Sequence, residues 1–136
     1  MKYRKEGDKW IIVLDLNEEV VSTLNSFFKE NNIKGGFIQG IGALKDVDLW
    51  VYNFKEKKFD SKQFSEEFEL LSFLGNVTET GLHAHVSLGR HDYSVVGGHL
   101  ASALVAYTME LVLFETSEIK RKLTKTDVFE AKIIVL

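Results

Sequence analysis

The sequence predicts an α+β domain, in which a largely antiparallel β-sheet accompanies one helix near the N-terminus. Short apolar runs, broken by glycine and charged residues, follow one another along most of the chain, which is typical of strands. One early segment, residues 20–28, instead has apolar residues at helical spacing. Because many strands accompany a single helix, a mainly antiparallel sheet is the expected architecture, in one domain spanning residues 1–136.

The first predicted strands, residues 2–6 and 10–16, are joined around Gly7. A helix follows them. Asn17 is a favourable N-cap residue, and the two glutamates after it suit the positive end of a helix dipole. The apolar stripe of this helix is expected to pack on the core, and paired asparagines and glycines after residue 30 end it.

The rest of the chain is predicted to form seven more strands. The longest run, residues 102–114, is nearly all apolar, so a helix is an alternative there. Its β-branched and aromatic residues, such as Val105, Tyr107 and Val112, favour a strand. The predicted strands are residues 37–41, 47–54, 68–77, 82–88, 93–96, 102–114 and 128–136.

Composition excludes several classes of protein. The 136 residues include no cysteine, which excludes a disulfide framework, a thiolate nucleophile and a cysteine zinc site. No run approaches the roughly 20 apolar residues of a membrane helix. The basic start of the chain lacks the apolar region of a signal peptide, so a cytoplasmic location is expected.

The charge balance gives little support to nucleic-acid binding. The formal net charge is −3, whereas proteins that bind nucleic acid usually carry a basic surface. Two local basic stretches, residues 55–62 and 120–125, are interpreted as a solvated turn or an exposed strand face.

All four histidines fall within the seventeen residues 83–99, and three of them carry the main functional prediction. On a strand, His83 and His85 share one face with their Cα atoms about 6.6 Å apart, so both imidazoles can reach one ion. His99, after a predicted turn at Gly97-Gly98, could supply a third ligand. Three imidazoles with an open position are typical of a catalytic zinc site. The alternative is a pair of exposed polar residues on a half-buried strand.

Three further residues are candidates for roles beside such a metal. Glu110, the one charged residue within residues 102–114, is the candidate catalytic acid or base. Arg90 and His91, just after the histidine strand, are candidates for orienting an anionic ligand. The alternatives are an interface or edge carboxylate for Glu110 and a polar turn for the other two.

Four segments carry a resemblance to a known family. Residues 68–77, 82–89 and 95–100, together with the Gly-x-Gly-Ala segment within residues 36–43, resemble the plants-and-prokaryotes-conserved (PPC) domain. The resemblance spans nearly the whole chain in the expected order. Prokaryotic members usually consist of this domain alone and often carry a DNA-binding label.

The resemblance implies a fold, an assembly and a ligand. It implies an antiparallel sheet flanked by helices, assembled as a homotrimer, with a divalent metal held by His83, His85 and His99. Burial of the apolar strands between subunits agrees with a trimer. The fold is also similar to that of acetolactate decarboxylase and of a group of zinc-dependent ester hydrolases, which use three-histidine zinc sites.

The chain departs from the plant members of this family. Their DNA-contacting AT-hook needs a proline, and this sequence has none. Glu66-Glu67 also replaces the Gly-Arg of the plant domain.

Three functions are therefore considered. The first is a trimeric zinc-binding module that binds or senses a small anionic ligand or a protein partner. The second is a zinc-dependent hydrolase or lyase acting on a small carbonyl substrate. The third is a DNA-associated regulatory protein.

Overall fold

The computed structural model describes residues 1–126 and 130–135. This part of the chain contains one helix and eight strands. The strands form a six-stranded antiparallel sheet and a separate two-stranded hairpin. The prediction of a mainly antiparallel sheet with one helix is confirmed. The elements are β1 (Lys2–Glu6), β2 (Lys9–Asp15), α1 (Val20–Glu30), β3 (Gly36–Asn53), β4 (Lys58–Thr78), β5 (Gly81–Gly89), β6 (Val95–Glu115), β7 (Lys120–Lys125) and β8 (Glu130–Val135).

The large sheet has the strand order β1-β2-β6-β3-β4-β5, and β5 also pairs with the start of β6. Strands β3 to β6 therefore form a closed ring. Strand β6 is central to this arrangement, because it pairs with β2 and β3 along most of its length and with β5 at its first residues.

The helix is present as predicted, but its cap differs. Asn17 lies in a left-handed turn at φ 65°, a conformation that asparagine tolerates better than most residues. Glu19 is the N-cap instead, and its carboxylate accepts hydrogen bonds from the backbone N–H groups of Val21 and Ser22. Glu19 also accepts one from the backbone of Ala103, which ties the start of the helix to β6.

Several predicted strands are continuous with one another. Residues 37–41 and 47–53 both belong to β3, which ends one residue before the predicted strand 47–54. Residues 93–96 and 102–114 lie largely within β6, so the helical alternative for residues 102–114 is wrong. Bulges interrupt the β3 register without ending the strand. The predicted strand 128–136 corresponds to β8, although its residues 128, 129 and 136 lie outside the described residues.

The core lies on the face of the sheet that helix α1 covers, where α1 contacts β5 and β6. Alternation along β6 shows the two faces, because Met109, Leu111 and Leu113 are buried whereas Glu110 and Phe114 are exposed. Other large, fully buried side chains include Ile12, Leu14, Leu24, Phe27, Phe73 and Leu88. Among the described residues, no helix is long and apolar enough to cross a membrane.

Candidate metal centre

Three histidines converge on the face of the sheet opposite the core. His83 and His85 project from β5 on either side of buried Ala84, and His99 projects from β6 directly opposite His85. One nitrogen from each ring lies within 4.8 Å of one from each of the others. The structure therefore brings together the three residues that the sequence singled out.

The predicted turn at Gly97-Gly98 is wrong, because both glycines lie inside β6. They allow close backbone approach instead. A Cβ atom on Gly97 would lie 2.5 Å from the carbonyl oxygen of Val86 in β5, and one on Gly98 would lie 2.9 Å from that of Trp50 in β3. The start of β6 is thus held tightly between two strands, and His99 reaches the site through strand pairing rather than through a turn.

The donor set fits a divalent transition metal such as zinc. Imidazole nitrogens bind zinc at about 2.0–2.1 Å, which places tetrahedral ligand atoms about 3.3 Å apart. The present separations reach 4.8 Å, so the rings would have to move closer together to share one ion. The group contains no carboxylate, so three ligands of this kind leave the charge of the ion uncompensated and one position open.

Two of the histidines are held in the neutral form that metal binding requires. Burial, followed by the positive charge of Arg121 and by the neighbouring histidines, lowers the pKa of His83 to about 4. Burial and the nearby His85 also lower the pKa of His99. Both rings are therefore uncharged near neutral pH.

Arg121 of β7 is hydrogen-bonded to His83, a contact that the sequence did not predict. Its Nη2 lies 2.8 Å from His83 Nδ1 and 2.6 Å from Asn76 Oδ1, and its Nη1 donates to the carbonyl oxygen of Lys132. Because a guanidinium only donates, Nδ1 is the acceptor, and the proton of the neutral ring is on Nε2. Neither nitrogen of His83 is then available, so metal binding by His83 requires this hydrogen bond to break.

A cavity of about 380 Å³ opens beside the histidines. One wall consists mainly of aromatic side chains from the β3–β4 hairpin. The Trp50 ring stacks on His99 with centroids 5.8 Å apart and planes 24° apart. The sequence carried a signal for this wall, since aromatic residues at positions 50, 52 and 54 of a strand share one face. The aromatic residues of the wall are Trp50, Tyr52, Phe54 and Phe59.

Glu110, Arg90 and His91 do not lie beside the histidines within one chain. Glu110 is exposed on β6, eleven residues beyond His99, which is roughly 36 Å of strand. Arg90 pairs with Glu66 at 2.9 Å, and His91 is exposed in the turn after β5. None of the three lines the cavity, and their roles as acid, base or anion-orienting groups stay predictions.

Several solved structures are similar to this chain. A Bacteroides thetaiotaomicron structure, described as a "putative DNA binding protein", is 37% identical, with 98% of this chain and 96% of that chain covered and a TM-score of 0.89. A Pyrococcus horikoshii structure, described as a plant- and prokaryote-conserved (PPC) protein, is 30% identical, with 99% and 97% covered and a TM-score of 0.82.

A third similar structure, from Archaeoglobus fulgidus, is described as a metal-containing protein. It is 30% identical, with 98% of this chain and 99% of that chain covered and a TM-score of 0.81. Among the curated proteins, no match was found. The family model of the Plants and Prokaryotes Conserved (PCC) domain matches residues 1–117. The chain therefore belongs to the Plants and Prokaryotes Conserved domain family.

Proposed function

We propose that His83, His85 and His99 hold one divalent metal ion, zinc, and that the protein uses this centre to bind a small anionic ligand. The observation that carries the proposal is the convergence of three imidazoles at the end of an open cavity. Because imidazoles are neutral when they bind a metal, the ion would keep its full charge and attract an anion to its open position. The description of the Archaeoglobus fulgidus neighbour as metal-containing supports the proposal.

Zinc is the metal that this donor set favours. Zinc accepts imidazole ligands in a four-coordinate geometry with one position left to water or a ligand. Nickel and iron also accept imidazole, so metal analysis of the purified protein decides among them.

We also propose that the chain folds as one domain over residues 1–136 and assembles as a homotrimer. The face of the large sheet opposite the core exposes a set of apolar side chains on β3, β4 and β6, and an exposed patch of this kind is typical of an interface. Light scattering should then give three times the 15.5 kDa mass of the chain, and a mass of one chain would contradict the trimer. The exposed side chains are Phe37, Ile41, Leu71, Leu74, Tyr107 and Phe114.

The metal proposal is tested by substituting each histidine separately. His83→Ala, His85→Ala and His99→Ala should each lose most of the zinc affinity, because two imidazoles alone bind weakly. His91→Ala is the matched control and should keep one zinc per chain. Metal content after gel filtration measures the result. A wild-type protein that takes up no zinc, or a His91→Ala variant that alone loses it, would contradict the proposed centre.

A zinc-dependent hydrolase or lyase is the second candidate. A carboxylate, that of Glu130 on β8, lines the cavity and is ion-paired with Lys125 at 3.3 Å. When bound, zinc would polarise a carbonyl group or activate water, and Glu130 would accept or donate the proton. A panel of small esters and keto acids, with Glu130→Gln as the matched variant, tests this candidate.

A further inference from the structure

The aromatic wall of the cavity is exposed rather than part of the core. Its rings contact one another in sequence, with centroids 6.0 Å apart between Trp50 and Phe59 and 5.2 Å apart between Phe59 and Tyr52. The exposed fractions of Trp50, Phe59 and Phe54 are 39%, 56% and 70%. Because Trp50 also stacks on His99, the apolar surface begins at the histidines and runs outward along the hairpin.

In contrast to the apolar wall, the inner end of the cavity would carry positive charge once a metal ion is bound. With a divalent ion on three neutral imidazoles, this end would be strongly positive, and the guanidinium of Arg121 lies directly behind His83. The carboxylate of Glu130 lines the cavity, but the ammonium group of Lys125 is paired with it. A ligand that fits the whole cavity therefore needs an anionic head and a flat apolar body.

We propose that this cavity binds a small monocarboxylate with a flat, aromatic body of one or two rings. The inference deepens the proposed function and rests on it. The carboxylate would lie at the histidine end and the body against the rings of Trp50 and Phe59. A volume of about 380 Å³ is at the lower end for small-molecule sites, which agrees with a ligand of this size.

The test uses the zinc-loaded wild-type protein and three probes. The first is 2-naphthoate, which has both the charge and the flat body; acetate keeps the charge alone, and 2-naphthamide keeps the body alone. Titration calorimetry and quenching of tryptophan fluorescence measure binding. We expect 2-naphthoate to bind at least about tenfold more tightly than either partial probe, because both halves of the cavity are used.

A substitution in the aromatic wall distinguishes binding in the cavity from nonspecific binding elsewhere on the protein surface. Phe59→Ala should weaken 2-naphthoate binding by about tenfold, because the contacts between the Phe59 ring and the ligand would be lost. The zinc content should stay at one per chain, because all three histidines are kept. Tyr93→Asn is the matched control, because Tyr93 is 93% exposed, lies outside the cavity lining and has a left-handed φ that asparagine tolerates.

Each contrary result has its own meaning. Failure of the wild-type protein to bind zinc would overturn the proposed function and this inference together. Stoichiometric zinc with 2-naphthoate binding no tighter than acetate or 2-naphthamide would overturn the inference alone. Loss of the oligomer in Phe59→Ala, with 2-naphthoate binding unchanged, would also overturn it, because the wall would then be covered by a second copy of the chain.

Discussion

Replacing Arg121 with methionine is expected to raise the affinity of the histidine cluster for zinc. In the structure Arg121 donates a hydrogen bond to Nδ1 of His83, so zinc must displace this bond before His83 can bind it. Methionine keeps an unbranched apolar side chain of similar length but has no donor. Loss of the competing bond should therefore favour the metal.

The size of the effect follows from the hydrogen bond that is removed. A hydrogen bond involving a charged group contributes about 1.5–3 kcal/mol. Both side chains are partly exposed, so the lower end of that range applies. About 1.5 kcal/mol corresponds to a roughly tenfold decrease in the Kd for zinc.

The assay is a zinc competition titration against a chelator of known affinity at pH 7.5. Lys122→Met is the matched control, because Lys122 is the exposed neighbour of Arg121 on the same strand and should leave the Kd unchanged. Circular dichroism spectra and melting curves establish that each variant is folded.

A lower zinc affinity in a folded Arg121→Met variant would refute this reasoning. It would mean that Arg121 supports His83 as a ligand instead of competing for it. Equal affinities in the wild-type protein and both variants would show that the hydrogen bond does not form in solution.

Three other outcomes are expected. Unfolding raises the pKa of His83 from about 4 toward 6.5, so the unfolded chain binds more protons, and the metal-free protein should lose stability as the pH falls from about 6.5 to 4. Urea midpoints measured across this pH range test the expectation. An equal loss of stability over the same range in His83→Gln would contradict it. Gly97→Ala should lower zinc affinity in a folded protein, because its Cβ would lie 2.5 Å from the carbonyl oxygen of Val86 and push β6 from β5; metal titration that gives a wild-type Kd would refute it. Duplex DNA should bind weakly at physiological salt, since the net charge is −3 and two lysines of the basic stretch 120–125 are ion-paired; sub-micromolar, salt-sensitive binding in a gel shift would show otherwise.

Local sequence was sufficient for the type of most elements. The apolar stripe at helical spacing predicted α1, and the short apolar runs predicted the strands, because both patterns report directly which face is buried. The runs did not show which strands continue into one another. Charged residues and bulges break the pattern in β3, but pairing with β4 and β6 carries the strand through the interruption.

For the three histidines of the candidate centre, too, spacing in the sequence predicted one part of the arrangement and strand pairing determined the other. The period of a strand places His83 and His85 on one face, so that pair was predictable from spacing alone. The position of His99 depends on strand register, because it lies opposite His85 only where β5 pairs with β6. The prediction that His99 lies near the other two histidines rested on a turn at Gly97-Gly98, whereas strand pairing brings it there.

The sequence by itself determined the fold class, the face-sharing pair of histidines and the family. Only the tertiary structure decided what surrounds them. Arg121 reaches His83 from a hairpin 38 residues away, and the aromatic wall lies beside His99 through pairing with β3. Glu110 is near His99 in sequence but far along an extended strand, which separates its residues by about 3.3 Å each. Such contacts depend on which elements meet in the folded chain, and a short-range pattern of polarity shows which face of a strand is buried without showing its neighbours.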